Sequence, residues 1–251
     1  MFINKILNQI FSRSLIVFFN QISILLIISI IAIRFNFETF GHVGQAMILI
    51  QIGWIASNYG LMNYSIESKL KFKSSIFLSK FVSLAIVQIF LFSITYVLFL
   101  FCLIRLDILN LPEKFYLFTI PSIIFGSFHC MWFFQSMNKP NTLVKVTFYS
   151  RVIFLLSTYF FIFNEDHLYL FIIQAASLLI VALYSLRVIS YEYNLNFSLP
   201  PIKNVFNTIK YQLPFFLNSI MNTHVNILWS FAASLSLSPA MMSIYYIGDQ
   251  I

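Results

Sequence analysis

The side chains best suited to binding a ligand are charged residues that lie inside long apolar runs of the sequence. Arg151 lies about nine residues into the run 142–163, which at 1.5 Å per residue places it ~14 Å deep in a hydrocarbon layer of about 30 Å. Asp249 lies about as far into a run that begins near Ala240. A buried arginine costs roughly 2.5 to 3.5 kcal/mol at that depth, so we expect it to face a watery cavity or an opposite charge. The alternative is that the run begins later and Arg151 anchors the membrane interface.

A second set of polar groups consists of amides inside the apolar runs. Three of them recur every fourth residue, so a continuous helix would carry them as a stripe along one face. Such a stripe suits hydroxyl-rich ligands, and the alternative is amide bonding between helices, which is typically worth well under 2 kcal/mol per contact. The stripe comprises Asn218, Asn222 and Asn226, and the other amides are Gln45, Gln51 and Asn58.

These groups are not accompanied by the motifs of a soluble enzyme. The 4 histidines lie in separate elements, without cysteines or carboxylates at metal-ligand spacing. The sequence has neither a glycine-rich phosphate loop nor a G-x-S-x-G turn. We therefore expect binding rather than catalysis, with no metal, no cofactor and no catalytic residue.

The elements that must position these side chains are long and apolar. Residues are 60% hydrophobic and only 9% charged, and each run can cross a bilayer, which takes roughly 20 apolar residues. Because the runs do not alternate polar and apolar residues, they predict an all-α integral membrane protein. The predicted spans are 14–33, 40–60, 75–103, 115–135, 142–163, 168–186 and 211–235, with an interrupted eighth after Ala240.

The basic residues give the orientation of these spans. Eleven Lys and Arg fall on one side of the map and three on the other, and Arg151 lies within a span, which accounts for all 15. Since basic loops stay in the cytosol, the N-terminus is predicted to be cytosolic. This topology explains the net charge of +7 better than a nucleic-acid partner does. Residues 1–13 have the pattern of an amphipathic helix on the inner membrane surface.

Two blocks of the sequence, one from Trp132 to Arg151 and one from Leu213 to Ile251, resemble the O-antigen flippases of the multidrug, oligosaccharidyl-lipid and polysaccharide exporter superfamily. In that family a W-F-F-Q motif ends the fourth span and precedes a basic turn and an early Arg or Lys in the fifth. The second block resembles the family's seventh and eighth spans, although this chain has Ser136 where the family often has Gly. The first block comprises Trp132, Phe133, Phe134 and Gln135, then Asn138, Lys139 and Pro140, then Arg151. The second comprises Leu213, Pro214, Phe215 and Phe216, then Asn226, Ser238 and Pro239, then Tyr245, Tyr246, Asp249 and Ile251.

The resemblance implies a helical bundle of two six-helix lobes. Residues 14–190 would form the first lobe, 191–210 a cytosolic linker, and 211–251 the start of the second lobe. The implied activity is translocation of an undecaprenyl-diphosphate-linked O-antigen unit, or a related oligosaccharide, across the bacterial inner membrane by alternating access. The implied partners are this lipid-linked oligosaccharide, membrane lipids and the O-antigen polymerase machinery.

Three alternatives to a flippase remain at this stage. A cation-coupled multidrug exporter of the same superfamily should carry more carboxylates within its spans. A polymerase or ligase should have a long external loop with catalytic arginines, whereas the external loops here are short. The third is a truncated remnant that does not transport, and we expect this chain to be the N-terminal part of a longer transporter that does not transport alone.

Overall fold

The computed structural model describes residues 2–68, 75–106, 108–109, 111–161, 168–195, 197–223 and 225–250. Within these ranges the regular structure is entirely helical, which confirms the predicted all-α class. The helices are α1 Phe2–Arg34, α2 Phe37–Asn58, α3 Leu61–Ser68, α4 Ser75–Leu106, α5 Glu113–Ser127, α6 Met131–Ser136, α7 Pro140–Phe161, α8 Tyr169–Tyr193, α9 Ile202–Thr223, α10 Val225–Ser236 and α11 Pro239–Gln250.

Among the described residues, three helical segments are long and apolar enough to cross a membrane. They are Ile76–Leu106, Glu113–Ser136 and Tyr169–Tyr193, and they coincide with the predicted third, fourth and sixth spans. Two shorter apolar segments, Gln21–Arg34 and Val225–Ser236, coincide with the C-terminal parts of the predicted first and seventh spans to within one residue. The capacity to span a membrane is thus confirmed for three spans, whereas the full number of seven stays a prediction.

Helix α2 lies at the centre of the bundle. It contacts α4, α5, α10 and α11, and its residues from Phe40 to Ile50 are almost all buried. Gln45 on this helix is only 1% exposed, and its Nε2 donates to the Ser234 carbonyl of α10 at 3.2 Å. Because α2 packs against protein on most sides, it tolerates the polar residues and glycines that make it less apolar than α4 or α8.

Glycines bring α2 and α11 into near backbone contact. A Cβ atom built on Gly41 would lie 1.7 Å from the Pro239 carbonyl oxygen. One turn later, a Cβ on Gly44 would lie 3.1 Å from Cγ of Tyr246. Small residues permit such close approach between helices in membranes, so these two positions fix where α11 lies.

Several predicted boundaries differ from the observed ones. The predicted fourth span is two helices, because Cys130 adopts a left-handed conformation with φ of 52° between α5 and α6. The predicted seventh span overlaps α9 and α10, and residue 224 between them lies outside the described residues. In the predicted linker 191–210, the described residues are non-helical only at 194–195 and 197–201, since α8 continues to Tyr193 and α9 begins at Ile202, directly after Pro201. Proline suits the start of a helix because its missing N–H has no helical partner there.

The N-terminal boundary also differs from the expectation. Helix α1 runs without interruption from Phe2 to Arg34, so the backbone of the predicted surface segment continues into the first span. The side chains of residues 1–13, on which the amphipathic prediction depends, lie outside the described residues.

Helix α9 is fastened to α4 by one buried amide pair and one aromatic stack. Gln88 Nε2 donates to Gln212 Oε1, and both side chains are at most 1% exposed. The ring of Tyr59 stacks on Phe92 and on Phe216, with centroid separations of 4.5 and 4.3 Å. The remaining amide atoms, Gln88 Oε1 and Gln212 Nε2, have no hydrogen-bond partner among the described residues.

The amide pair leads to a prediction about stability. Gln88→Leu should destabilise the protein by about 1 to 3 kcal/mol, because it leaves the buried Gln212 amide without its partner. Adding Gln212→Leu should recover most of this loss, since both amides are then replaced by apolar groups. Thermal unfolding of the purified single and double variants in detergent measures the effect. A double variant whose loss equals the sum of the two single losses would contradict this account.

Candidate binding cavity

An internal cavity of about 340 Å³ lies among the helices that follow α1. Its wall is formed mainly by α2, α3, α5, α6, α7 and α8. Helices α9 and α10 contribute one residue each, Ser219 and Ile227. The cavity therefore lies mainly among the residues predicted to form the first lobe and is bordered by the helices that follow.

Two interruptions of helical structure border this cavity. The first lies between α2 and α3, where Tyr59 and Gly60 have positive φ angles of 38° and 71°. A Cβ on Gly60 would lie 2.5 Å from the Phe216 backbone nitrogen, so the position requires glycine for both its conformation and its contact with α9. The second lies between α5 and α6, where His129 and Cys130 line the cavity. Irregular backbone at membrane depth is tolerated where it lines a cavity, and broken helices form binding sites in transporters.

Arg151 lines the cavity from the middle of α7. It follows the first residue of that 22-residue helix by eleven positions, or about 16 Å at 1.5 Å per residue. The side chain is partly buried and lies within electrostatic range of His129 and of Tyr246 on α11. This position favours the cavity interpretation over the interface anchor, because the helix begins earlier than expected and not later.

The predicted amides divide into three groups. Gln51 and Asn58 line the cavity with Arg151, and Asn58 Nδ2 also donates to the Trp54 carbonyl at 2.8 Å. Gln45 instead bonds α10, as the helix-contact alternative expects. Asn218 and Asn226 are exposed and do not line the cavity, whereas the side chains of Asn222 and Asp249 lie outside the described residues.

The four residues of the W-F-F-Q motif form most of α6. Trp132, Phe133 and Phe134 are at most 2% exposed and pack edge to face in sequence. Trp132 also lines the cavity, whereas Gln135 is partly exposed and does not. The buried rings of the motif therefore fix α6 in place as part of the cavity wall.

Sequence reasoning missed several polar residues of the cavity wall. His129, Thr147 and Gln174 line the cavity, and none of them stood out in the sequence. Gln174 interrupts the apolar run 168–186, which was the one available signal. A single polar residue in a span indicates a binding site only when the fold places other polar residues beside it.

Comparison with known proteins leaves the family unassigned. No protein-family model, no curated protein and no solved structure matches this chain. The described residues define a helical protein with three segments able to cross a membrane and a cavity of apolar and polar side chains that include an arginine.

Proposed function

We propose that this chain forms part of a flippase that carries a lipid-linked oligosaccharide across a membrane. The observation that carries the proposal is the position of Arg151, in the middle of α7 and in the wall of a cavity that it shares with Gln51 and Asn58. The resemblance in sequence supplies the details, namely an undecaprenyl-diphosphate carrier, an O-antigen or related sugar unit, and the bacterial inner membrane.

The chemistry of the cavity suits the head group of such a substrate. A guanidinium binds phosphate oxygens through two parallel hydrogen bonds, which are about twice as strong as neutral ones. The amides Gln51 and Asn58 share the cavity with Arg151 and can bond hydroxyls. The head group would pass through the cavity while the lipid tail stays in the bilayer, and movement of the two lobes would alternate access.

The charge of the cavity favours this substrate over a cationic drug. Among the described lining residues, Arg151 carries the permanent charge and there is no Asp or Glu. A cation would be repelled by the guanidinium and would find no carboxylate partner in this part of the chain. The cation-coupled exporter is therefore the weaker proposal.

Two contacts are consistent with the proposed orientation, in which the N-terminus is cytosolic. Lys139 and Glu192, which the basic-residue count places on the cytosolic side, form an ion pair at 3.6 Å. Arg34, placed on the outer side, donates to the Tyr159 carbonyl at 3.2 Å, near the opposite end of α7. Each contact joins two segments that the predicted topology places on the same side of the membrane.

The test of the proposal removes the cavity charge. In a flippase-deficient host that expresses the chain extended through the further spans of the family architecture, Arg151→Ala should lower surface polysaccharide about tenfold or more. A hydrogen bond to a charged group is worth roughly 1.5 to 3 kcal/mol, which sets this scale. Arg187→Ala is the matched control, because Arg187 is exposed on α8 and lies outside the cavity. Equal effects of the two substitutions at equal expression would contradict the proposal.

A further inference from the structure

Helix α9 presents two chemically different flanks on its outward face. The apolar flank consists of side chains that are each at least 43% exposed, namely Ile202, Phe206, Leu213 and Leu217. The polar flank consists of exposed lysines and amides, namely Lys203, Asn207, Lys210 and Asn218. Three of these polar residues directly follow an apolar one in the sequence. Because successive residues of a helix are turned by about 100°, the two flanks run side by side along the helix axis.

The opposite side of α9 packs on the bundle. Val205 and Gln212 are buried there, and Gln212 accepts a hydrogen bond from Gln88 on α4. Ser219, also on that side, is the α9 residue that lines the cavity. The two flanks therefore face away from the cavity and form a separate surface.

The pairing with α4 sets the depth of α9 in a membrane. Gln88 lies twelve residues after the start of the membrane-crossing segment Ile76–Leu106, or about 18 Å along a helix of about 46 Å. Its partner Gln212 therefore lies well inside the bilayer that α4 can cross. Lys210 and Asn218 are only about 3 Å and 9 Å from Gln212 along the axis of α9, so the polar flank extends to the same depth.

Neither hydrocarbon nor water alone suits this outward face. Surrounded by lipid chains, the lysines of the polar flank would lose the hydration of their charges. Surrounded by water, the apolar flank would expose a continuous row of large apolar side chains. Both costs are avoided where lipid and water meet along α9, with chains against the apolar flank and water against the polar flank.

The charges of the polar flank favour an anionic head group. Lys203 and Lys210 lie on this flank, and the described residues 197–223 contain no Asp or Glu. The amides of Asn207 and Asn218 can donate to phosphate oxygens and can exchange hydrogen bonds with hydroxyls. An anionic lipid suits both flanks at once, because its charged head group and its apolar chains are joined in one molecule.

We propose that the outward face of α9 is a lipid-guiding surface, on which an anionic lipid places its head group along the polar flank and its chains along the apolar flank. The surface begins at Lys203, on the side that the basic-residue count places in the cytosol, and extends to Asn218 beside α4. A head group can thus move inward from the cytosolic leaflet in contact with water while its chains stay in the bilayer. The inference rests on the proposed function in taking a lipid as the transported ligand.

Cysteines at neighbouring positions test the two flanks at equal depth. In a background without the two native cysteines, Phe206→Cys is compared with Asn207→Cys, and Leu217→Cys with Asn218→Cys. All four positions are exposed, so the substitutions leave the packed side of α9 intact. In lipid vesicles with a small charged thiol reagent on both sides, the polar-flank member of each pair should react about tenfold faster or more. The reason is that each unit by which lipid raises a thiol pKa lowers the thiolate fraction about tenfold.

Any pattern other than this split in both pairs would overturn the inference. Equally rapid reaction at all four positions would show that the whole outward face lies in water. Equal protection would show that lipid, or protein such as a second copy of the chain, covers both flanks.

Lipid binding gives the second measurement. The purified protein is mixed with equal amounts of phosphatidic acid and diacylglycerol that carry the same acyl chains, and the retained lipids are counted by native mass spectrometry. Lys210→Ala should reduce the preference for phosphatidic acid about two- to fivefold, the range for an exposed ion pair. Lys145→Ala is the matched control, because Lys145 is an exposed lysine of α7, and it should leave the preference unchanged.

The same comparison in an Arg151→Ala background separates the surface from the cavity. Lys210→Ala should cause the same fold reduction there, because the polar flank faces away from the cavity. A reduction that disappears without Arg151 would place the head group in the cavity alone and overturn the inference, even where the proposed function holds. A reduction that persists while Arg151→Ala leaves surface polysaccharide unchanged would support the surface and contradict the proposed function.

Discussion

Gly41→Ala is expected to destabilise the protein by about 3 kcal/mol or more, the upper end of the usual cost of overpacking. The added methyl group would lie 1.7 Å from the Pro239 carbonyl oxygen, and that oxygen belongs to the backbone, so no side-chain rotation can relieve the clash. Helix α11 would have to move away from α2. Tyr246, which packs against Gly44 and lies within electrostatic range of Arg151, would move with it.

A glycine-to-alanine substitution on α11 provides a control, because it should change the stability of the protein in the opposite direction. A Cβ on Gly248, within α11, meets no atom within 4 Å. Gly248→Ala should therefore stabilise the protein by up to about 1 kcal/mol, the helix preference of alanine over glycine. Unfolding of both variants in mixed detergent micelles measures the two changes. Destabilisation of similar size in both would show that α11 does not pack on α2 in this register.

The helices themselves were largely predictable because the requirement they meet is local. A long apolar run in lipid must satisfy its backbone internally, so α4 and α8 follow from composition alone. The end of α2 could also be predicted from the sequence, since Gly60 is a residue that readily adopts a positive φ. The break at Cys130 was not, because cysteine carries no local preference for the left-handed conformation it adopts there.

The candidate site was predictable only where one residue conflicted with its surroundings. Arg151 stood out because a charge in an apolar run is costly wherever its helix lies. The amide stripe had the right period, but Asn218 and Asn226 are exposed and lie outside the cavity wall, and period alone does not say which face of a helix meets a cavity. Thr147 and Gln174 are common residue types within their own helices. They reach the cavity wall because α7 packs against α8, and no local sequence pattern encodes that packing.

The second large effect expected concerns access of water to position 151. In a background with Cys102→Ala and Cys130→Ser, the variant Arg151→Cys should react readily with a small, negatively charged thiol reagent. The reason is that the side chain at this position lines the cavity, and reaction requires a solvated thiolate. The native cysteines must be removed because Cys102 is exposed and Cys130 lines the same cavity.

Labelling of Arg151→Cys beside Thr158→Cys tests the central claim, a cavity that contains Arg151 and is entered from water, most directly. Thr158 lies on the same helix, is fully buried, donates to the Phe154 carbonyl and is not part of the cavity wall. With the protein in lipid vesicles, we expect rapid modification at position 151 and none at position 158, as measured by the mass added to the intact chain. Position 151 left as unreactive as position 158, in a protein that remains folded, would contradict the cavity and return Arg151 to a structural role.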